Sequence, residues 1–365
     1  MMGRAAYREL LMNKLAYLLV SSVALLVFAC GGAPEPPPEA SAPVIVPPGA
    51  QLELLFTRSL PLVGGLTEGA AAAPDGRIYF SDISFGEVLG KIMRYDPATG
   101  ETDVFAEDSG KSNGLIFDAE GFLVAAEGAE NGGRQISRYD VETGEKTTVA
   151  DNYEGKRFNS PNDLTIDAQG RIYFSDPRYL GSEGRELEYM AVYRIDTDGS
   201  VVEVTHEAEK PNGVALSPDG STLYVADHNN GGENISDPEA PAAVQGAMRV
   251  YAFPLGDDGL VNGPRRTLVE FGSEVGCDGM TVDEHGNIYL SSRSLKRPGV
   301  LIINPEGQEV GFIATGPENQ LDPAAAQGIP SNVEFSVGDD SNMLYVTVDT
   351  SLYRIPLGVE GYRPY

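Results

Sequence analysis

Six residues with an oxygen-bearing side chain recur at matching places along the chain: Glu68, Asn113, Asn162, Asn212, Asp278 and Asn332. Gathered about one axis they would offer six carbonyl or carboxylate oxygens, two of them anionic. Such a set suits a hard divalent cation, above all Ca²⁺. The 3 His and 2 Cys are scattered and do not make a zinc set. Asn at the entrance of a strand is also ordinary turn chemistry, repeated whenever a unit is duplicated. That reading does not account for Glu68 and Asp278, whose carboxylates would be costly to bury without a compensating charge. For Asn113 and Asn332, metal shell, substrate contact and turn all stay open.

What must position these residues is a repeated unit. EGAAAAPDGRIYFSD starts at Glu68, NGLIFDAEGFLVAAE at Asn113, NDLTIDAQGRIYFSD at Asn162, NGVALSPDGSTLYVAD at Asn212, DGMTVDEHGNIYLSS at Asp278 and NVEFSVGDDSNMLYVTV at Asn332. In the first five a glycine follows eight residues after the leader (Gly76, Gly121, Gly170, Gly220 and Gly286); the sixth has Asp340, so its turn is built differently. Each unit reads as a strand, a tight turn at the glycine and a second strand rich in Tyr and Val. The leaders are spaced by 45, 49, 50, 66 and 54 residues, a period that fits one four-stranded blade. Second hairpins are visible at KIMRYDPATGETDVF (Lys91 to Phe105) and QISRYDVETGEKTTVA (Gln135 to Ala150). The sequence therefore predicts an all-β fold, a six-bladed β-propeller of four-stranded antiparallel blades around a central channel, spanning residues 51–365. A strand near Leu52 to Phe56 is expected to complete the sheet holding Leu352 to Pro356 and so to lock the ring.

Composition narrows the function. With 54 acidic against 26 basic residues among 365, the formal charge is −28, which excludes nucleic acid as a partner because phosphate contacts need clustered Lys and Arg. Arg4, Arg8 and Lys14 precede an apolar run from Leu15 to Ala29, the pattern of a secretory signal over residues 1–29. Leu-Val-Phe-Ala-Cys resembles a bacterial lipobox, so Cys30 is the expected site of lipidation, and the Pro-rich residues up to 50 are the expected tether. The expectation is a monomer in the bacterial cell envelope (periplasm or outer membrane), touching the membrane only through that anchor, or otherwise simply secreted. Cys277 then has no disulfide partner within the chain.

At the far end of the second strand of three units stand Asp82, Asp176 and Asp227, and the connections leaving these points (83–90, 177–189 and 228–246) should rim the channel mouth. Arg178, Tyr179 and His228 are candidate substrate contacts there. The polar loop 228–246 fits either a lid or a passive insertion.

Four stretches carry a family resemblance: the segment from Glu68, RFNSPNDLTIDAQGRIYFSDPRY (Arg157 to Tyr179), KPNGVALSPDGSTLYVAD (Lys210 to Asp227) and DGMTVDEHGNIYLSS (Asp278 to Ser292). Together they resemble the gluconolactonase/SMP-30/LRE-like group of six-bladed propellers, over residues 51–357. The resemblance implies one catalytic Ca²⁺, replaceable by Zn²⁺, Mn²⁺ or Mg²⁺, held by Glu68, Asn162, Asn212 and Asp278. It implies hydrolysis of a lactone of a sugar acid, such as a gluconolactone, with the cation polarising the carbonyl and Asp278 serving as general base or nucleophile. Two positions depart from the group's pattern: Cys277 replaces the usual Pro before Asp-Gly, and Glu127-Gly128 stands where a Glu-His pair is common. No Gly-x-Ser-x-Gly elbow offers a serine-based route. The competing expectations are a lipid-anchored propeller that binds a sugar acid or another partner without turnover, and a purely structural channel ion.

Overall fold

The computed structural model describes residues 43–58, 65–235, 237, 239, 243–316 and 327–365. The expected signal segment and Cys30 lie outside these residues. Alternating strands with glycine turns fold into six four-stranded antiparallel sheets. Blades 1 to 5 are built in simple meander order, their innermost strands being Leu66–Ala72, Ser112–Phe117, Leu164–Ile166, Pro211–Leu216 and Cys277–Val282. The five expected turn glycines all adopt positive φ, between 69° and 86°. In blade 6, where glycine is missing at that place, a short 3₁₀ turn at Gly338–Asp340 makes the reversal instead.

Blade 6 comprises Pro330–Phe335, Met343–Val348 and Ser351–Pro356, and its outer strand is Glu53–Thr57 from the other end of the domain. Leu54 pairs with Tyr353 and Phe56 with Leu352, so the ring closes as the sequence predicts. Closure makes unfolding of one blade require opening of the circle and removes a free sheet edge. Ile45, Val46 and Ala50, in the stretch expected to be a tether, pack against this blade's core.

The apolar residues of each blade meet those of the next in six separate clusters, one per seam. The cores therefore lie between blades, and the axis is left to polar side chains. Where the innermost strands face the axis, pairing with the second strand slips by one residue. Three residues from Glu68 to Ala71 span two on the partner, and the same slip occurs at Ser112–Leu115, Pro211–Val214 and Cys277–Met280. A bulge of this kind re-aims one side chain without ending the strand. Glu68, Asn113, Asn212 and Asp278 fall within or at the edge of these bulges, Asn332 sits at a further slip between Pro330 and Asn332, and Asn162 lies just ahead of the regular strand Leu164–Ile166.

Candidate active site

Glycine after the leading residue brings the bulges close together. A methyl group on Gly69 would lie 2.0 Å from the Asn113 carbonyl oxygen, on Gly114 2.7 Å from that of Asn162, and on Gly213 2.3 Å from that of Asp278. The equivalent atom on Gly279 would lie 2.3 Å from the Asn332 side chain. Blade 3 carries Asp163 in place of this glycine, and its carboxylate reaches across the seam to accept a hydrogen bond from the Val214 backbone N–H at 3.1 Å. Ser331 Oγ closes the last gap by donating to the Thr67 carbonyl at 2.6 Å. The result is a narrow ring with Glu68, Asn162, Asn212, Asp278 and Asn332 buried in it and Asn113 half-buried.

The oxygens of this ring are not equally available. Glu68 uses Oε2 to accept from the Gly69 N–H at 3.2 Å, leaving Oε1 without a protein donor. Among the described residues the side-chain amides of Asn113 and Asn162 have no hydrogen-bond partner. Asn212 donates through Nδ2 to the Tyr179 hydroxyl at 3.3 Å, which leaves its carbonyl oxygen open. Asp278 Oδ2 pairs with Arg293 Nη1 at 2.5 Å, and Oδ1 stays open. Asn332 differs: its Oδ1 accepts from the Val333 N–H at 2.8 Å and its Nδ2 donates to Asp163 Oδ1 at 3.4 Å. Both ends of that amide are engaged by the protein, in contacts that tie it to Val333 and Asp163.

Electrostatics follow from crowding. Burial, with Asp278 nearby, holds the Glu68 carboxyl well above the usual carboxylate range. Burial likewise pushes Asp163 up to about 7, against the pull of its hydrogen bond from Val214. Three acidic side chains thus share the ring with the single guanidinium of Arg293. Among the described residues no three His, Cys, Asp or Glu side chains converge as a ready metal set. What the ring leaders supply is two carboxylates and neutral amides, the donor chemistry a hard cation prefers. The residues present therefore fit a divalent ion held by Glu68, Asn162, Asn212 and Asp278.

The expected mouth residues divide. Tyr179 donates its hydroxyl to the His228 carbonyl at 2.9 Å and carries the Lys210 ammonium over its ring at 4.1 Å. Its phenol is pushed well up, first by burial and then by Asp278. His228 is buried with Nδ1 at 3.0 Å from the Cys277 carbonyl, and desolvation lowers its pKa. Tyr179 and His228 stand together beside Asn212. Arg178, expected among the substrate contacts, is instead sealed from solvent at 1% exposure and donates to the Leu180 carbonyl and to Glu183. An arginine following a strand end folds back when an acid of its own loop is in reach, and Glu183 supplies one. Cys277 is buried, and desolvation pushes its thiol well up, which disfavours the thiolate.

The strand-end aspartates anchor the ring. Asp176 accepts from the N–H groups of Asn159 and Ser160, both at 2.7 Å, just ahead of Asn162. Asp227 does the same for Glu209 and Lys210 at 3.0 and 2.9 Å, just ahead of Asn212. Asp349 holds Gln327 and Gly328 in blade 6. Sequence reasoning found Asp176 and Asp227 but not this task. It missed Asp163 and Arg293, although the break in the Gly-after-leader pattern at residue 163 was a readable cue.

A six-bladed propeller with acid and amide oxygens facing its axis, and apolar clusters only in its seams, is the class the fold and site define. Residues 66–350 match the SMP-30/Gluconolactonase/LRE-like region, and the chain belongs to that family. It is 30% identical over 253 residues to a gluconolactonase of Zymomonas mobilis, an alignment covering 67% of this chain and 62% of that protein. The chain therefore spans less than two thirds of that relative. A pentonolactonase of Haloferax volcanii is 28% identical over 77% of this chain and 81% of its own length. Among solved structures, a gluconolactonase of Xanthomonas campestris superposes with a TM-score of 0.67 at 27% identity, covering 87% of this chain and 96% of that one.

Proposed function

We propose that this protein hydrolyses the lactone of a sugar acid at the axial ring, with a divalent cation, Ca²⁺ in the first instance, held by Glu68, Asn162, Asn212 and Asp278. The observation that carries the reading is the crowding of Glu68 and Asp278 beside amide oxygens that bond nothing in the protein. That arrangement is costly unless a cation joins it. The lactonases among its relatives support the substrate class. When bound, the cation supplies Lewis acidity to the lactone carbonyl and stabilises the oxyanion that forms.

The chain's own residues do the rest. Asp278 Oδ1 accepts a proton from the attacking water while Arg293 steadies Oδ2. The water oxygen bonds to the carbonyl carbon and the ring C–O bond breaks. The proton held by Asp278 passes to the departing ring oxygen, and the new carboxyl ionises by releasing its own proton. Tyr179, tied to His228, orients the Asn212 amide. Proton release from a panel of aldonolactones, with Ca²⁺ and again after chelation, tests the reading. Metal-dependent turnover above the spontaneous rate supports it. A metal-induced rise in melting temperature without turnover favours the binding or structural role. Asp278→Asn should lower kcat by about 10²–10⁴-fold, the range for loss of a general base, while keeping measurable cation binding. A fully active variant would remove Asp278 from that role. The envelope location proposed from Cys30 predicts that Cys30→Ser moves the protein from the membrane to the soluble fraction.

A further inference from the structure

The second strands of blades 1 to 4 and 6 lead into an acid at the mouth: Asp82, Glu127, Asp176, Asp227 and Asp349. Blade 5 breaks the rule with Ser292, and Arg293 follows. The backbone there keeps the bond made in blades 2 and 4: the Arg293 N–H donates to the Gly276 carbonyl at 3.0 Å, as His228 does to Lys210 at 3.0 Å and Gly128 to Lys111 at 2.9 Å, so blade 5 holds this end of its strand without an acid. Only Nη1 of the guanidinium is used, on Asp278. Among the described residues Nε and Nη2 have no hydrogen-bond partner, and the side chain is 23% exposed. Glu274, the other acid of that region, is already taken by Ser294 and Lys296. A planar cation with a free N–H edge, paired with Asp278 and near Glu68, is ready for a carboxylate once a divalent ion offsets those acids.

We propose that Arg293 is a carboxylate-binding residue of this site, taking the oxygen that the carbonyl carbon gains when a lactone opens. The inference rests on the lactonase reading and extends it to the product. Hydrolysis turns a neutral ring into an anion. The oxygen that is added comes from the water deprotonated by Asp278 Oδ1, and the guanidinium is the group in contact with the other oxygen of that same carboxylate. The open-chain sugar acid is then held between the ring and Arg293, and the site binds sugar-acid anions as well as lactones.

Calorimetric titration of D-gluconate into the full-length protein with saturating Ca²⁺ tests this, beside Ca²⁺ titrations of the same variants. Arg293→Gln should raise the gluconate Kd by about 10- to 100-fold, as expected for loss of a charge-assisted hydrogen bond. Arg293→Lys should recover part of that loss. The Ca²⁺ Kd should change by much less than the gluconate Kd in both. Equal gluconate binding by wild type and Arg293→Gln overturns the proposal. So does no gluconate binding by wild type, or a gluconate loss no larger than the Ca²⁺ loss, which would make Arg293 a mere counter-charge. Arg293-dependent gluconate binding in a protein that opens no aldonolactone would leave the anion site standing and refute the lactonase reading.

Discussion

Asn212 and Asn332 stand in equivalent places on either side of Asp278, in blades 4 and 6, yet the protein uses them differently. Asn212 is followed by Gly213, which lets its bulge lie against the Asp278 carbonyl, and its amide nitrogen rests on the Tyr179 hydroxyl. Its carbonyl oxygen has no hydrogen-bond partner among the described residues. Asn332 is followed by Val333, whose N–H takes the side-chain oxygen, while Asp163 from the opposite blade takes the nitrogen. Thr347 also fixes its backbone by a hydrogen bond at 2.9 Å. The same residue at the same repeat position keeps its amide oxygen unbonded among the described residues in one blade and ties both ends of its amide into the protein in the other. The neighbours decide which, and the leader itself does not.

That contrast can be broken experimentally. Replacing Asn212 with Ala removes an open oxygen, so cation affinity and kcat/KM should each fall by about 10- to 100-fold with little change in the metal-free melting temperature. Replacing Asn332 with Ala should do the reverse. It strips a partner from buried Asp163 and should cost about 1–3 kcal/mol of stability in denaturant titration, with the smaller effect on cation affinity. If the two variants lose cation affinity alike, the distinction between ligand and brace is wrong.

A subtler effect sharpens the role of Asp163. Burial raises both Asp163 and Asp176 to about 7, far above the unfolded value near 3.8. The folded protein holds these protons more tightly than the unfolded chain, so their contribution is fully present below the unfolded value and is lost as pH rises through about 7. The metal-free protein should therefore show a falling melting temperature between about pH 5 and about pH 8. Asp163→Asn should flatten the slope, and Ca²⁺ should reduce it in wild type by favouring the ionised ring. A slope that Asp163→Asn leaves unchanged would place the titration elsewhere.

The fold was legible because its cause is local and repeated: alternation makes strands, glycine at one offset makes turns, and a blade-sized period makes a ring. Even the closing strand could be read, since Leu54 and Phe56 are apolar partners waiting for an edge. The axial residues were legible for the same reason. Their division into available and consumed oxygens was not, because Asn332 meets Asp163 across the channel, 169 residues away. The burial of Arg178 was not legible for a related reason, since it depends on how its loop folds back onto Glu183. Arg293 escaped notice because it lies one residue beyond the matched segment. Asp176 and Asp227 could be located but not interpreted, because what they hold is backbone N–H groups, which leave no mark in the sequence; Asp82 instead accepts from the Arg58 side chain at 3.1 Å.

The most direct test is the anomalous scattering of Mn²⁺ in crystals of the protein, with the ion soaked in place of Ca²⁺. The account predicts one strong peak on the axis, within bonding distance of oxygens from Glu68, Asn162, Asn212 and Asp278, with Asn332 still bonded to Asp163. A peak away from this ring, a peak bonded to Asn332 in place of Asn212, or no axial peak would contradict it.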